Sequence, residues 1–174
     1  MSIPALYRSL YGFALQWIED ECDTRVTNLV WLMFRIFQSR RVQMNILVRK
    51  LPIQAKKLSL VTRMARFLSN EAVRVWKWYA PSARAILTNA GRGGQIRLFF
   101  DATKGSSGHR LLMVSVAYQC RSVPLGWIWI RTSRGHLTTA KKVKLLAYVQ
   151  SLCPSGVQVA LVRARGFLQF PSKR

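Results

Sequence analysis

The chain has 174 residues, half of them apolar, and a formal net charge of +22 from 28 Lys and Arg against 6 Asp and Glu. That length and apolar content fit a packed chain, one domain or a small domain with part of another, and exclude a disordered one. The charge points to a polyanion as partner, nucleic acid first, because a surface this unbalanced repels itself unless anions offset it.

Cys22, Cys120 and Cys153 are odd in number and far apart. They read as free thiols in a reducing compartment, not as a disulfide framework or a zinc site. The N-terminus lacks the charged, apolar and small-residue succession of a signal peptide. The longest apolar stretch, 111–130, is broken by Gln119, Arg121 and Pro124. A spanning helix needs about 20 nearly uninterrupted apolar residues, so a strand pair is the better reading. The expectation is a cytoplasmic protein with no membrane association.

In chain order, Leu6, Leu10, Phe13, Ala14 and Trp17 recur at helical spacing and predict a helix over 3–18 with one apolar face. Glu19, Asp20, Glu21 and Asp23 form an acidic linker, and every charged residue over 24–70 is basic. Asp23 or Thr24 is placed to cap a second helix over 25–38. That helix carries Leu29, Val30, Met33, Ile36 and Phe37 on one side, with Trp31 and Phe34 beyond, as a central bundle helix would. After the basic turn Ser39-Arg40-Arg41, a short helix over 42–50 turns Leu47 and Val48 inward and closes at Leu51-Pro52.

A third helix over 57–68 has Leu60, Val61, Met64, Phe67 and Leu68 as its core face, with Lys56, Lys57, Arg63 and Arg66 largely off it. This layout resembles a helix-turn-helix module. Layout alone is equally compatible with a plain bundle; the charge tips it towards DNA. Asn70 is placed to cap a further helix that buries Val73, Trp76 and Tyr79, and Pro81 opens a short one through Leu87. Trp76, Trp78 and Tyr79 beside Arg74 and Lys77 can stack on bases, though at helical spacing they fit a core better. The run Asn89-Ala90-Gly91-Arg92-Gly93-Gly94 reads as a joint between domains.

Beyond it the period changes. Ile96-Arg97-Leu98-Phe99-Phe100 reads as a strand ending on Asp101, the last acid of the chain. A loop over 104–109 leads to a central strand over 111–118, a turn at Arg121-Ser122 and a third strand over 123–131. On that strand Leu125, Trp127 and Trp129 share one face, and Ile128 and Ile130 the other. A helix over 138–152 follows, with Val143, Leu146, Ala147 and 149–152 inward, and then a short strand over 157–162. The order strand, strand, strand, helix, strand lets the first three pair antiparallel and sets the fourth beside the first in parallel. The fold class is thus α+β, with helical residues 1–90, a β-β-β-α-β domain over 95–163 and a divergent basic tail over 164–174.

A strand-tip carboxylate in a basic chain suits phosphodiester chemistry, where two metal ions activate water and steady a leaving oxygen. Such a site needs two or three converging acids, because Mg²⁺ takes hard oxygen ligands and its charge must be balanced. The last strand, beside the first, ends Val162-Arg163-Ala164-Arg165-Gly166, without an acid. By itself Asp101 fits a loop-starting residue as well as a ligand. The glycines of Gly105-Ser106-Ser107-Gly108 lack the following Lys and Ser or Thr of a phosphate-binding loop. His109 and His136 have no metal-pair spacing; beside glycines at strand ends they can contact DNA but fit loop-shaping residues better.

The runs Phe99-Phe100-Asp101-Ala102-Thr103-Lys104, Gly108-His109-Arg110-Leu111-Leu112-Met113-Val114-Ser115-Val116-Ala117-Tyr118, Val123-Pro124-Leu125-Gly126-Trp127, Arg134-Gly135-His136 and Leu145-Leu146-Ala147-Tyr148-Val149 stand in that order. With Leu51-Pro52 and Arg66-Phe67-Leu68-Ser69-Asn70 upstream, they resemble bacterial insertion-sequence transposases of the DDE, ribonuclease-H-like superfamily, over roughly 24–162.

The resemblance implies an incomplete ribonuclease-H-like domain and a nucleoid-associated, bacterial enzyme of DNA transposition that binds transposon ends. It implies Mg²⁺ as cofactor and three acids as ligands, with Asp101 as the first catalytic and metal-binding acid. The family's second acid lies in Gly-Asp-x-x-Phe-Gly; placing Phe167 on that Phe puts Ala164 at the acid, and the third belongs far downstream. A frameshift or premature stop is the expected origin of the tail. Reading the DNA after codon 162 in the other frames tests that, and finding neither the motif nor a later Glu sinks it.

The candidate nucleic-acid contacts are Arg40, Arg41, Arg49, Lys50, Lys56, Lys57, Arg63, Arg66, Lys104 and Arg134. Three functions remain open: a transposase-derived DNA binder without catalysis, with no Mg²⁺ bound productively; a basic protein that competes with, or assembles with, full-length transposase or itself; and a poorly folding remnant whose exposed edge and uncovered Trp127 and Trp129 invite aggregation.

Overall fold

The computed structural model describes residues 3–18, 21–51, 55–105, 108–131, 139–163 and 166–169. The protein is α+β, a helical region preceding a mixed sheet. The chain divides into two compact units, Met1–Tyr79 and Ala80–Arg174. The division falls within one helix, α5 (Val75–Ala90).

The first unit holds α1 (Ile3–Trp17), α2 (Asp23–Ser39), the short α3 (Met44–Leu47) with a 3₁₀ turn at Val48–Lys50, and α4 (Lys57–Leu68). Its core joins Ala14 and Ile18 to Val26, Val30 and Leu32 of α2, Leu47 and Val48, Leu60, Met64 and Phe67 of α4, and Trp78. The inward turn of Leu47 and Val48 is as expected.

Other faces are rotated from the expected ones. Tyr7, Leu10 and Tyr11 pack on the core while Phe13 is exposed, set against Trp17 at 5.6 Å. On α2, Ile36 and Phe37 are exposed, and Val26, Asn28, Val30, Leu32, Phe34 and Arg35 are buried. On α4, Leu68 is exposed. A helix that is apolar nearly all round does not declare its inner stripe; its neighbours choose it.

Two capping expectations are also corrected. Cys22, not Asp23 or Thr24, stands at the N-cap of α2 and makes no side-chain cap bond; its carbonyl accepts from the Arg25 amide at 2.8 Å. Asn70 closes a local turn by accepting the Ala72 amide on Oδ1 at 2.9 Å. The helix begins only at Val75 and runs through Pro81 without restarting there. Proline lacks an N–H, so the carbonyl one turn earlier loses its partner, but packing on both sides of that turn carries the helix on. Trp78, not Trp76 or Tyr79, is the residue that α5 buries in the first core, and Val73, ahead of the helix, packs half-buried against it.

The second unit contains β1 (Gln95–Lys104), β2 (His109–Tyr118), β3 (Arg121–Arg131), α6 (Thr139–Leu152), β4 (Gln158–Arg163) and β5 (Gly166–Gln169). The sheet order is β3-β2-β1-β4-β5. The first three strands pair antiparallel, and β4 lies parallel beside β1, as the order of elements predicted. β5 then folds back antiparallel on β4, so the sheet continues past its fourth strand. Ile96, Leu98 and Phe100 alternate inward, with Val116 and Val114 directly across from Leu98 and Phe100.

α6 packs on β2 and β3, and buries Leu145, Val149 and Leu152. Val143, expected inward, is exposed. Gly126 makes room for that helix: a Cβ there would stand 3.1 Å from Leu145 Cδ1 and 3.2 Å from the Tyr148 ring. The hairpin turn is Gln119-Cys120, not Arg121-Ser122; both turn residues have positive φ (48° and 59°), and Tyr118 pairs with Arg121. A register shift between Val114 and Ser115 sets Leu125 in a bulge beside Pro124. Proline is tolerated on an edge strand or at a bulge, and β3 is an edge. The bulge buries Leu125, while Trp129, two pleats on, is 57% exposed.

Candidate nucleic-acid interface

All but Lys104 and Arg134 of the basic residues predicted to touch nucleic acid fall on two stretches of the first unit. At the end of α2, Arg40 is the C-cap at φ 52°, and its amide donates to the Ile36 carbonyl at 2.8 Å. Arg41 follows, its amide bonded to Ser39 Oγ at 3.3 Å. Arg40, Arg41 and Arg49 are exposed, and Lys50 ends the 3₁₀ turn. A left-handed arginine is an uncommon helix end, since glycine takes that geometry without strain.

The second stretch is α4. Lys56 is its N-cap and Lys57 its first residue; both are exposed, and no acid stands in the first turn. Cations there oppose the helix dipole, whereas a phosphate would be favoured by both the dipole and the lysines. Leu60, Met64 and Phe67 fix the inner face. The outer face is then Leu58, Ser59, Thr62 and Arg66, all exposed, with Arg63 at its border. Leu58, 77% exposed, and Arg66 are both open on this face.

Arg63, expected largely off the packed face, is half-buried at the border between that face and the outer one. Its Nε donates to Asn28 Oδ1 at 3.0 Å, and its guanidinium carbon lies 5.0 Å from the centre of the Trp31 ring. Arg35, absent from the expected set, is buried: Nε donates to the Leu47 carbonyl at 3.2 Å, and a terminal nitrogen donates to Gln38 Oε1. Burial disfavours its charged form. These bonds tie the end of α2 to α3, so Arg35 supports the basic corner without presenting charge on it. Asn28 in an apolar helix was the available signal for such a cluster, because a buried amide needs a partner. The partner is 35 residues away, beyond any local pattern.

In the second unit, Lys104 ends β1, exposed, paired in register with Arg110. Arg134 lies outside the described residues. Asp101 does not end its strand; β1 runs three residues further. It is exposed and belongs to the outward set Arg97, Phe99, Asp101 and Thr103. Its Oδ1 accepts the Ala102 amide at 2.7 Å, and Thr103 Oγ1 donates to Oδ2 at 3.4 Å. Met113 is its partner across β2. The β1–β4 register is described as far as Phe100 beside Arg163, one residue short of Asp101 on one strand and of Ala164 on the other; Ala164 lies outside the described residues.

The Mg²⁺ pair that the resemblance implies does not fit these donors. Asp101 is the only acid after Glu71, and among the described residues no three His, Cys, Asp or Glu side chains come together. One carboxylate beside a methionine and an arginine-bearing strand balances too little charge for a divalent pair. No helix of the described residues is long and apolar enough to cross a membrane. Compared with family models, with curated proteins and with solved structures, the chain matches none.

Proposed function

We propose that this protein binds DNA through the basic helical unit and derives from a DDE transposase whose ribonuclease-H-like core no longer carries out catalysis. The observation that carries the DNA reading is the exposed, acid-free basic stretch of Arg40, Arg41, Arg49, Lys56, Lys57 and Arg66 in a chain of net charge +22. The family reading is supported by the strand order β3-β2-β1-β4, with β4 parallel to β1 and Asp101 on β1. Ala164 at the position the resemblance gives to the second acid supports loss of cleavage. Such a basic chain, with Ala164 at the second-acid position, also suits a regulator that competes for transposon ends or joins a full-length transposase.

The test is duplex binding measured against salt, together with Mg²⁺-dependent nicking. Each phosphate contact should contribute a slope of about −0.9 in log K against log salt, so a steep negative slope is expected. Preference for inverted-repeat ends over random duplex favours the regulator. No nicking is expected from the native chain. Flat salt dependence would remove the DNA reading, and nicking abolished by Asp101→Ala would show the core to be active.

A further inference from the structure

The guanidinium of Arg63, on α4, is held by two side chains of α2. Asn28, 5% exposed, accepts from its Nε at 3.0 Å, and Trp31 lies beneath its carbon at 5.0 Å. A buried amide oxygen needs a donor, and Arg63 supplies one. That bond uses Nε alone. A guanidinium has five N–H donors in a rigid fork, and four of them belong to the two terminal nitrogens.

The side chain stands beside the exposed Leu58, Ser59, Thr62 and Arg66 of the same helix. Thr62 Oγ1 is turned back on the Leu58 carbonyl at 3.0 Å. α4 contains no acid, and the ion pair found among the described residues, Arg25 with Glu21, lies elsewhere. The charge of Arg63 is therefore braced at the edge of the outer face of α4 and not neutralised by a carboxylate of its own helix.

We propose that Arg63 is a preset anchor for one phosphate of a nucleic-acid backbone, with Arg66 gripping from the same helix face, and that Asn28 and Trp31 are positioning residues. The proposal rests on the DNA reading above and names where that binding is organised. Arginine matches a phosphate bidentately, but it gives up rotamer freedom to do so. A braced arginine has given it up before the ligand arrives, so more of the contact appears as affinity. Residues 63 and 66 are neighbours on a helix surface, three apart, close enough to share one phosphate or two consecutive ones. A phosphate contact carries no base information, so its loss should weaken all sequences alike.

The test uses the full chain and short labelled duplexes of two unrelated sequences, read by anisotropy at several salt concentrations. Arg63→Gln should weaken binding to both duplexes by about tenfold and make the salt slope shallower by about one. Arg63→Lys keeps the charge and loses the fork, so it should retain the slope while binding severalfold more weakly. Trp31→Leu should do the same through loss of the brace, with its unfolding midpoint measured alongside. Unchanged affinity and slope in Arg63→Gln, with the native chain binding normally, overturns the anchor and leaves the DNA reading intact. Loss confined to one duplex sequence overturns it too, in favour of a base contact. A native chain without salt-dependent binding removes the DNA reading itself, and the anchor with it, before any variant is made.

Discussion

Glu21 ties three parts of the helical unit together. Its Oε2 accepts from Arg25 at 2.7 Å, within one turn, and its Oε1 accepts from the Trp78 indole N–H at 3.2 Å across 57 residues. Trp78 in turn stacks on Phe67 at 6.2 Å. The Arg25 bond, ahead of the Trp78 bond, holds the Glu21 carboxyl below its ordinary range, against a smaller opposing effect of burial. A carboxylate with a depressed folded pKa adds stability that is present above its unfolded pKa and lost as pH falls through the folded one. Unfolding midpoints should therefore drop on the acid side of the usual glutamate range, and Glu21→Gln should flatten that limb. An acid limb identical in the variant would mean that Glu21 does not carry it. Arg40 is the contrasting residue, kept in a left-handed conformation where glycine would be easier. Strain of that kind collects at functional positions, which agrees with its place on the basic corner.

Among the elements, the β2–β3 hairpin is built against its own sequence. A two-residue turn with positive φ at both positions favours Asn-Gly, yet Gln119 and Cys120 occupy it. The strands are long and apolar enough to impose the turn on them. Replacing Gln119 with Asn and Cys120 with Gly should stabilise the unit by about 1 kcal/mol, read from chemical denaturation. No gain, or a loss, would show that the turn residues hold interactions worth as much as their strain. The same hairpin explains why the turn was expected two residues late. Arg121-Ser122 looked like a turn because neither Gln119 nor Cys120 signals one. Similarly, the inner stripe of α6 was displaced because Val143 and Leu146 are as apolar as Leu145 and Val149. What selects Leu145 is the gap at Gly126 on β3, which only a side chain at that level can fill.

At the level of the whole molecule the charge dominates. Among the described residues the Arg25–Glu21 ion pair offsets little of a net charge of +22. Self-repulsion of this size weakens the compact state, and it falls with screening because the Debye length shrinks to about 3 Å at 1 M salt. The thermal midpoint should rise with added sodium chloride and rise further with a multivalent anion such as inorganic phosphate. A midpoint that falls with salt would mean that attractive pairs, not repulsion, control stability.

By itself the sequence determined the helical-then-strand division, the strand and helix order of the second unit, the antiparallel trio with a parallel fourth strand, and the single carboxylate of its second half. Those follow from period, chain order and the handedness of connections, which are local or nearly so. The tertiary structure alone decided which stripe of each apolar helix faces inward, where the Gln119-Cys120 turn falls and that β5 joins the sheet. It also decided that Glu21 belongs to a three-residue cluster and that Arg63 is aimed by Asn28 and Trp31. Each of these depends on groups far apart in the chain, and a contact across 35 or 57 residues leaves no mark on the spacing of either partner. Charge marks the helical unit as basic; packing alone sets the Arg63 side chain against Asn28 and Trp31.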